Sequence, residues 1–259
     1  MKRNLLSTIF TSYLVKDILL LLNDGPKDTG TIMSTLRTSR QALFPQIRIL
    51  SDSNIISMID GPCRLTAMGT VLVDKIVPLL DMFDLLENIG CYELDFIPQH
   101  LLKRISELGP CTVVDPPIPE ICEVDKEFQR LSTESRSIAV ITSFMFPNFS
   151  DIFAAYIEKG VPVSVIVSAK LHDKLKCNSY QEYKNLIDNE IIDVYVHNDE
   201  MGLVSFTQND HGIMLRLLSN TDHSHYDYKR VLFQSPLSLQ WGRDLFDHYK
   251  SESVRVADI

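Results

Sequence analysis

The fold of this chain is decided by residues 29–65, which read TGTIMSTLRTSRQALFPQIRILSDSNIISMIDGPCRL. Ser39 is a favourable residue for the start of a helix, and an apolar residue recurs every three or four positions after it. These apolar residues are Leu43, Ile47 and Leu50. A shorter helix, capped by Asp28 or Thr29, comes before the turn at 37–39. The segment therefore predicts two helices joined by a tight turn.

A β-hairpin is predicted directly after the longer helix. Residues 55–59 and 62–65 form two short strands, and Asp60-Gly61 between them is a strong signal for a tight turn. Residues 5–22, before the segment, have the apolar spacing of an amphipathic helix. Three helices followed by a two-stranded wing form the arrangement that presents its third helix to the major groove of DNA. We therefore expect a winged helix-turn-helix DNA-binding domain over residues 1–66.

The candidate DNA contacts lie on the third helix and on the wing. Once the apolar positions are assigned to the core, the helix and its capping serine leave Ser39, Arg40, Gln41, Phe44, Gln46 and Arg48. Arginine can pair with guanine and glutamine with adenine, and both can hold phosphate. Arg64, in the second wing strand, can follow the backbone or the minor groove, and Lys27 and Arg37 could clamp phosphate. For each residue, ordinary surface charge on a solvated face is the alternative explanation.

Two prolines fall inside predicted helices. Pro45 removes a backbone donor from the third helix, which costs about 3 kcal/mol in a regular helix. We expect a kink or a later helix start there. Thr66 can cap a long fourth helix that reaches about Asn88, and Pro78 within it is a second expected kink.

The formal charge is unevenly distributed along the chain. The whole sequence of 259 residues has a net charge of -9. Residues 1–80 hold nine Lys and Arg against six Asp and no Glu, a charge of +3, which leaves -12 for the remainder. A locally positive domain can hold a phosphate backbone even when the rest of the protein is acidic. The charge distribution thus favours DNA as a partner of the N-terminal region.

Strand and helix signals alternate after residue 90. The strand candidates are 137–142, 162–167, 191–196, 203–207, 212–218 and 231–234. The helix candidates are 99–108, 149–158, 170–176, 181–188 and 236–249. We expect an α/β fold class, α+β overall, with a winged domain at 1–66, a linking or dimerisation helix at 67–90 and a larger α/β sheet domain at 91–259. The size and strand order of the last domain are similar to half of a phospholipase-D-like fold without its active site.

A family resemblance covers nearly the whole chain. It rests on the segments LLLLNDGPK at 19–27, ALFPQI at 42–47, IPQHLLKRI at 97–105 and LQWG at 239–242. They resemble the predicted archaeal transcriptional regulators, common in methanogens, that join an ArsR-like winged helix-turn-helix to a domain named after the methanogenesis and filament-growth regulator. The resemblance implies DNA binding and gives Pro45 a counterpart in the family pattern. It does not identify an effector.

Other function classes find little support. The motifs GxGxxG, GxxxxGK[ST], GxSxG and HExxH are absent, so we expect no enzyme, no catalytic residues and no cofactor. The five cysteines are scattered without a CxxC pair and predict reduced thiols and no metal site, with redox or metal sensing by Cys111 and Cys122 as the alternative. No apolar run is long enough for a membrane helix. We therefore expect a cytoplasmic protein.

Two further expectations concern assembly and signalling. A single winged helix covers little DNA, so we expect a homodimer whose seam on the fourth helix is formed by Leu72, Ile76, Leu79 and Phe83. The α/β domain is expected to sense a small-molecule effector, with candidate ligand residues His223, His225, Tyr226 and Tyr228. The alternatives are a polar surface loop at 223–228, a passive dimerisation domain, and a winged helix that mediates protein contacts without binding DNA.

Overall fold

The computed structural model describes residues 12–58, 61–121, 123–220 and 226–259. The chain divides into two compact units, Met1–Leu80 (unit 1) and Asp81–Ile259 (unit 2). The boundary falls within the long helix predicted for 67–90. Within the described ranges, no helix combines the length and the apolar character needed to cross a membrane.

Unit 1 contains the predicted order of elements. These are α1 (Tyr13–Asn23), α2 (Thr29–Thr35), α3 (Arg40–Asp52), β1 (Ile56–Ser57), β2 (Arg64–Leu65) and the first part of α4 (Ala67–Ile89). A side-chain oxygen caps each of the first three helices, because Ser12, Asp28 and Ser39 accept hydrogen bonds from backbone N–H groups at 3.4, 2.9 and 3.3 Å. The part of the first predicted helix before residue 12 lies outside the described residues.

The core of unit 1 is built from one side of each helix. Its fully buried large side chains are Ile18, Leu19, Ile32, Leu43, Leu50 and Ile56. Burying each of them stabilises the fold by about 1.5–3 kcal/mol relative to leaving it exposed. The apolar stripe predicted for the third helix is confirmed, since Leu43, Ile47 and Leu50 are all buried.

Unit 2 is an α/β fold around a single mixed sheet. In chain order its elements are α5 (Gln99–Leu102), β3 (Cys111–Val114), α6 (Lys126–Thr133), β4 (Ile138–Thr142), α7 (Phe149–Lys159), β5 (Val163–Ser168), α8 (Ala169–Asn178), α9 (Tyr180–Ile187), β6 (Ile192–His197), β7 (Ser205–Gln208), β8 (Ile213–Arg216), β9 (Arg230–Phe233), α10 (Pro236–Ser251) and β10 (Ser253–Arg255). The strand order is β10-β6-β5-β4-β7-β8-β9-β3. Strands β4, β5 and β6 are parallel, and the other pairs are antiparallel.

Each face of the sheet packs against its own helices. Ile138, Val163 and Val165 belong to the apolar cluster that contains the buried residues of α7, α8 and α9. Ile141, Phe206 and Leu215 belong to the cluster that contains Trp241 and Tyr249 of α10. Because successive side chains of a strand point to opposite faces, this alternation gives three layers, helix on sheet on helix.

Several predicted elements differ from those observed. The single helix predicted for 99–108 is wrong, because α5 ends at Leu102 and a separate 3-10 turn follows at Ile105–Leu108. Arg104, between them, leaves helical geometry (φ -108°, ψ 15°) and its guanidinium forms ion pairs of 2.8 Å with Glu107 and Asp244. The sequence patterns indicated no helix at α6 and no strand at β3 or at the edge strand β10.

Gly242 provides a test of how closely α10 packs on the sheet. A Cβ at this position would overlap the side chains of Gln208 and Ile213, which are both buried. We expect Gly242→Ala to lower the free energy of unfolding by about 1–3 kcal/mol, because the side chains of a packed core cannot move aside. Urea denaturation followed by circular dichroism measures the change. Arg243→Ala, at the exposed neighbouring position, is the control, and equal stability of both variants would contradict this packing.

Candidate nucleic-acid interface

The tight turn between α2 and α3 fixes where the third helix begins. Arg37 has a positive φ of 46°, and the N–H of Thr38 donates to the carbonyl oxygen of Met33 at 3.1 Å. Ser39 then caps α3 through its hydroxyl oxygen, 3.3 Å from the nitrogen of Ala42. The Ser39 side chain, predicted as a DNA contact, is therefore the N-cap of α3.

The face of α3 opposite its buried stripe is exposed to solvent. With 100° between successive residues, Gln41 and Arg48 fall on that face and Phe44 lies at its edge, and all three are exposed. Gln46 was predicted as a candidate contact, but it lies at the flank of the helix beside the core and is half-buried. The outward face thus combines polar, aromatic and cationic side chains.

Arg40 is exposed at the start of α3 and is held by an aromatic ring. Its guanidinium carbon lies 4.9 Å from the centroid of the Phe44 ring, one helical turn further along. Such a cation–π contact contributes about 0.5–1 kcal/mol at an exposed site. It orients the guanidinium while leaving its N–H donors available to a partner.

Arg48 has an internal partner in the next turn. Its side chain forms an ion pair of 3.8 Å with Asp52, and both side chains are largely exposed. An exposed pair of this kind contributes little, in the range of about 0–1 kcal/mol, so a phosphate can replace the carboxylate at low cost. The ion pair with Asp52 therefore leaves Arg48 able to bind a DNA phosphate.

Pro45 lies within α3 without delaying its start. The helix runs from Arg40 to Asp52, so the expectation of a later start is wrong. Pro45 is exposed, as is Gln41, whose carbonyl would otherwise accept the missing N–H bond. That carbonyl faces solvent, where water can satisfy it, so the proline is tolerated.

The wing is short and is joined by a third segment. Ile56 pairs with Leu65 and Ser57 with Arg64, while positions 59 and 60 of the turn lie outside the described residues. The backbones of Lys27 and Cys63 also exchange two hydrogen bonds, of 2.9 and 2.8 Å. This bridge fixes Lys27 beside the wing, a proximity that the sequence did not indicate.

The residues predicted for the dimer seam are not equally accessible. Ile76 retains only 6% of its surface and packs in the core of unit 1, so it offers almost nothing to a second copy. Leu72 and Leu79 are half-buried, and Phe83 is 48% exposed. The exposed apolar residues Met68, Val71 and Leu86 on the same helix were not included in the prediction.

Of the predicted ligand residues, His223 and His225 lie outside the described residues. The rings of Tyr226 and Tyr228 are 5.0 Å apart, and the Tyr226 hydroxyl lies near the buried Arg216 guanidinium. Burial raises the pKa of Tyr226. Asp227 is engaged within the fold, because it accepts a hydrogen bond of 2.8 Å from the Tyr92 hydroxyl. Among the described residues, no group of His, Cys, Asp and Glu could hold a metal ion.

The cysteines that the structure describes are free thiols. Cys63 is fully buried and Cys111 lies in β3, and burial raises the pKa of both thiols. Cys122 lies outside the described residues, so redox pairing with Cys111 stays a hypothesis.

Two protein-family models match the chain. The N-terminal domain of the methanogenesis regulatory protein FilR1 matches residues 3–84, and the middle domain of that protein matches residues 121–252. The methanogenesis regulatory protein FilR1 of Methanothrix harundinacea (strain 6Ac) is 22% identical over 252 residues, which cover 94% of this chain and 56% of that protein. The chain therefore spans little more than half the length of this relative.

Solved structures show only distant likeness. TrmBL2, an archaeal chromatin protein whose structure shows a novel mode of DNA binding, has 12% identity and a TM-score of 0.42, covering 93% of this chain and 94% of that one. The phospholipase D family member Nuc from Salmonella typhimurium has 11% identity and a TM-score of 0.42, covering 56% and 98%. TM-scores this low carry no argument about fold or function.

Proposed function

Since this chain belongs to the family of the methanogenesis regulatory protein FilR1, we propose that it is a transcriptional regulator that binds double-stranded DNA through α3. The observation that carries the proposal is the outward face of this helix. Arg40 is held against Phe44 there, with Gln41 and Arg48 exposed beside it. Regulation by binding, rather than catalysis, also accords with a family named for a regulatory protein.

The proposal divides the contacts into two kinds. Arg40 and Gln41 lie in the first turn of α3, the part of a recognition helix that reaches base edges in the major groove. Arg48 and Arg64, with Lys27 beside the wing, are suited to phosphate, which fixes orientation without reading sequence. The charge of +3 on residues 1–80 supports unit 1 as the part that contacts DNA, because a cationic unit is attracted to the duplex while the acidic remainder is repelled.

We propose further that the protein binds DNA as a homodimer through α4. At 100° per residue, Met68, Leu72, Leu79, Phe83 and Leu86 share one side of that helix. Each of them is exposed or half-buried. Pairing two such stripes would remove their apolar surface from water and place two α3 helices on one duplex.

Unit 2 is proposed as the signal-receiving part of the regulator. A ligand can alter DNA affinity only if it binds differently to the DNA-competent and incompetent states of the protein. A sensor needs a cavity with a few polar groups among apolar ones, which distinguishes it from a passive dimerisation domain.

Substitutions on α3 test the DNA interface. We expect Arg40→Ala and Gln41→Ala to lose about 1–3 kcal/mol of discrimination at one base pair each, because the donors that read the base edges are removed. Arg64→Ala should instead weaken binding to all sequences alike. Fluorescence anisotropy on a selected operator and its single-base variants separates the two effects.

Arg243→Ala, an exposed arginine of unit 2, is the matched control and should bind like wild type. If a folded variant lacking the Arg40, Gln41 and Arg48 side chains bound the operator as tightly as wild type, the assignment of α3 as the DNA-reading helix would be wrong.

The oligomeric state tests the α4 stripe. We expect light scattering at micromolar concentration to give twice the chain mass of 29.5 kDa, and Leu79→Glu with Phe83→Glu to halve it, because charges would be buried in the seam. Asp84→Ala, at a neighbouring exposed position, should leave the dimer intact. A wild-type mass near 29.5 kDa would refute the proposed dimer.

A further inference from the structure

A cavity of about 80 Å³ lies in unit 2 against the sheet face covered by α6 and α7. Two cross-strand rows from β4, β7 and β8 form its floor. In one row Thr142 pairs with Ser205, which in turn pairs with Arg216. The other row joins Val140, Thr207 and Met214. A cavity of this volume accommodates roughly half a dozen water molecules, so any ligand must be small.

The walls of the cavity are mostly apolar. Helices α6 and α7 contribute Phe128, Phe149, Ile152, Phe153 and Tyr156, and the chain after β4 contributes Phe146. Phenylalanine side chains dominate this lining, which suits an aromatic or branched aliphatic group. The first floor row (Thr142, Ser205 and Arg216), here called the polar ledge, is therefore a polar strip in a mostly apolar cavity.

Arg216 is the feature of the ledge that needs an explanation. It is only 6% exposed, and its Nη1 donates a long hydrogen bond of 3.4 Å to the Ser205 hydroxyl. Its guanidinium carbon lies 5.0 Å from the centroid of the Phe146 ring, and the Tyr226 hydroxyl is near it. A guanidinium carries five donors, and these contacts with described residues engage only part of that capacity.

The neighbouring Arg230 shows how this fold satisfies a buried arginine that serves structure alone. Arg230 is 4% exposed and donates to the Asp125 carboxylate at 3.2 Å and to the backbone oxygens of Glu120 and Glu123 at 3.0 and 2.9 Å. Within the described ranges, by contrast, no carboxylate lies within 4 Å of the Arg216 guanidinium. A buried charge without a counter-charge is strongly destabilising, and burial lowers the pKa of Arg216.

We propose that this cavity binds a small monocarboxylate with an aromatic or branched aliphatic body, its carboxylate held by Arg216 and Ser205. The proposal deepens the signal-receiving role proposed for unit 2 by naming the ligand class. The planar fork of a guanidinium matches a carboxylate with two parallel hydrogen bonds. The body of the ligand lies between Phe149 and Phe153 on one side and the second floor row (Val140, Thr207 and Met214) on the other.

The charge of the site favours a monoanion over a phosphate dianion. Arg216 is the cation of the lining, and Asp125, which also lines the cavity, is already paired with Arg230. One positive charge balances one carboxylate, whereas a second negative charge would be buried among phenylalanine rings and near the Asp125 carboxylate. The apolar walls likewise disfavour a sugar, whose hydroxyl groups would lose their hydrogen bonds to water.

Isothermal titration calorimetry of the full chain without DNA tests the proposal. The probes are benzoate, phenylacetate and isovalerate, with benzamide as the neutral analogue of benzoate and inorganic phosphate as the dianion. We expect saturable binding of at least one acid, at least 10-fold weaker binding of benzamide, and no binding of phosphate at the same concentration. Failure of all three acids to bind, or equal binding of benzoate, benzamide and phosphate, would overturn the assignment.

Variants locate the binding within the cavity. Arg216→Gln should weaken acid binding at least 10-fold with little change for benzamide, and Arg216→Lys should retain part of the affinity. Thr207→Leu, which fills the cavity while keeping the arginine, should weaken acid and amide together and is the decisive variant if Arg216→Gln does not fold. Arg136→Gln, an exposed arginine paired with Asp210, is the matched control. Wild-type affinity in folded Arg216→Gln or Thr207→Leu would place the acid elsewhere.

The outcome is independent of the DNA proposal because the titration contains no DNA. A protein that binds DNA but no acid would overturn the cavity assignment alone. A protein that binds an acid through Arg216 but has no affinity for DNA would retain the ligand site and lose the proposed regulator.

Discussion

The burial of Leu43, Ile47 and Leu50 is the constraint on which the DNA-facing surface depends. These side chains anchor α3 in the core of unit 1, so the rotation of the helix about its own axis is fixed. Gln41, Phe44 and Arg48 are directed outward as a consequence, and Phe44 in turn holds the guanidinium of Arg40. The same packing explains why Pro45 is tolerated, since its missing donor falls on the solvated side.

The burial of apolar side chains also organises unit 2, where it involves both faces of a sheet. Its sheet is covered by helices on both faces, and each face buries a cluster of apolar side chains. Thr142, Ser205 and Arg216 form a polar cross-strand row within it. A fully structural arginine in such a place would need acceptors of the kind that Arg230 has. Arg230 has a carboxylate and two backbone oxygens as acceptors, whereas Arg216 has no such set among the described residues. This difference is the physical basis for assigning the cavity to an anionic ligand.

Local periodicity was enough to predict most elements, including α3, the wing and the six strands from β4 to β9, and the family resemblance based on short segments is confirmed. Features set by contacts distant in sequence were not predictable. The polar ledge depends on the register of three strands, and Ile76 was expected at a surface because its packing partners could not be known. Gln46 was kept as a candidate DNA contact because only the apolar positions of the helix had been assigned to the core. Its position beside the core leaves it half-buried.

The central claim is that unit 1 binds duplex DNA by neutralising phosphates, and the salt dependence of binding tests it most directly. Each phosphate neutralised contributes about -0.9 to the slope of log K against log salt concentration. With Lys27, Arg48 and Arg64 on phosphates, the account predicts a slope of about -3 or steeper for wild type, and a shallower one for Arg64→Ala. A slope near zero on every duplex tested would contradict it.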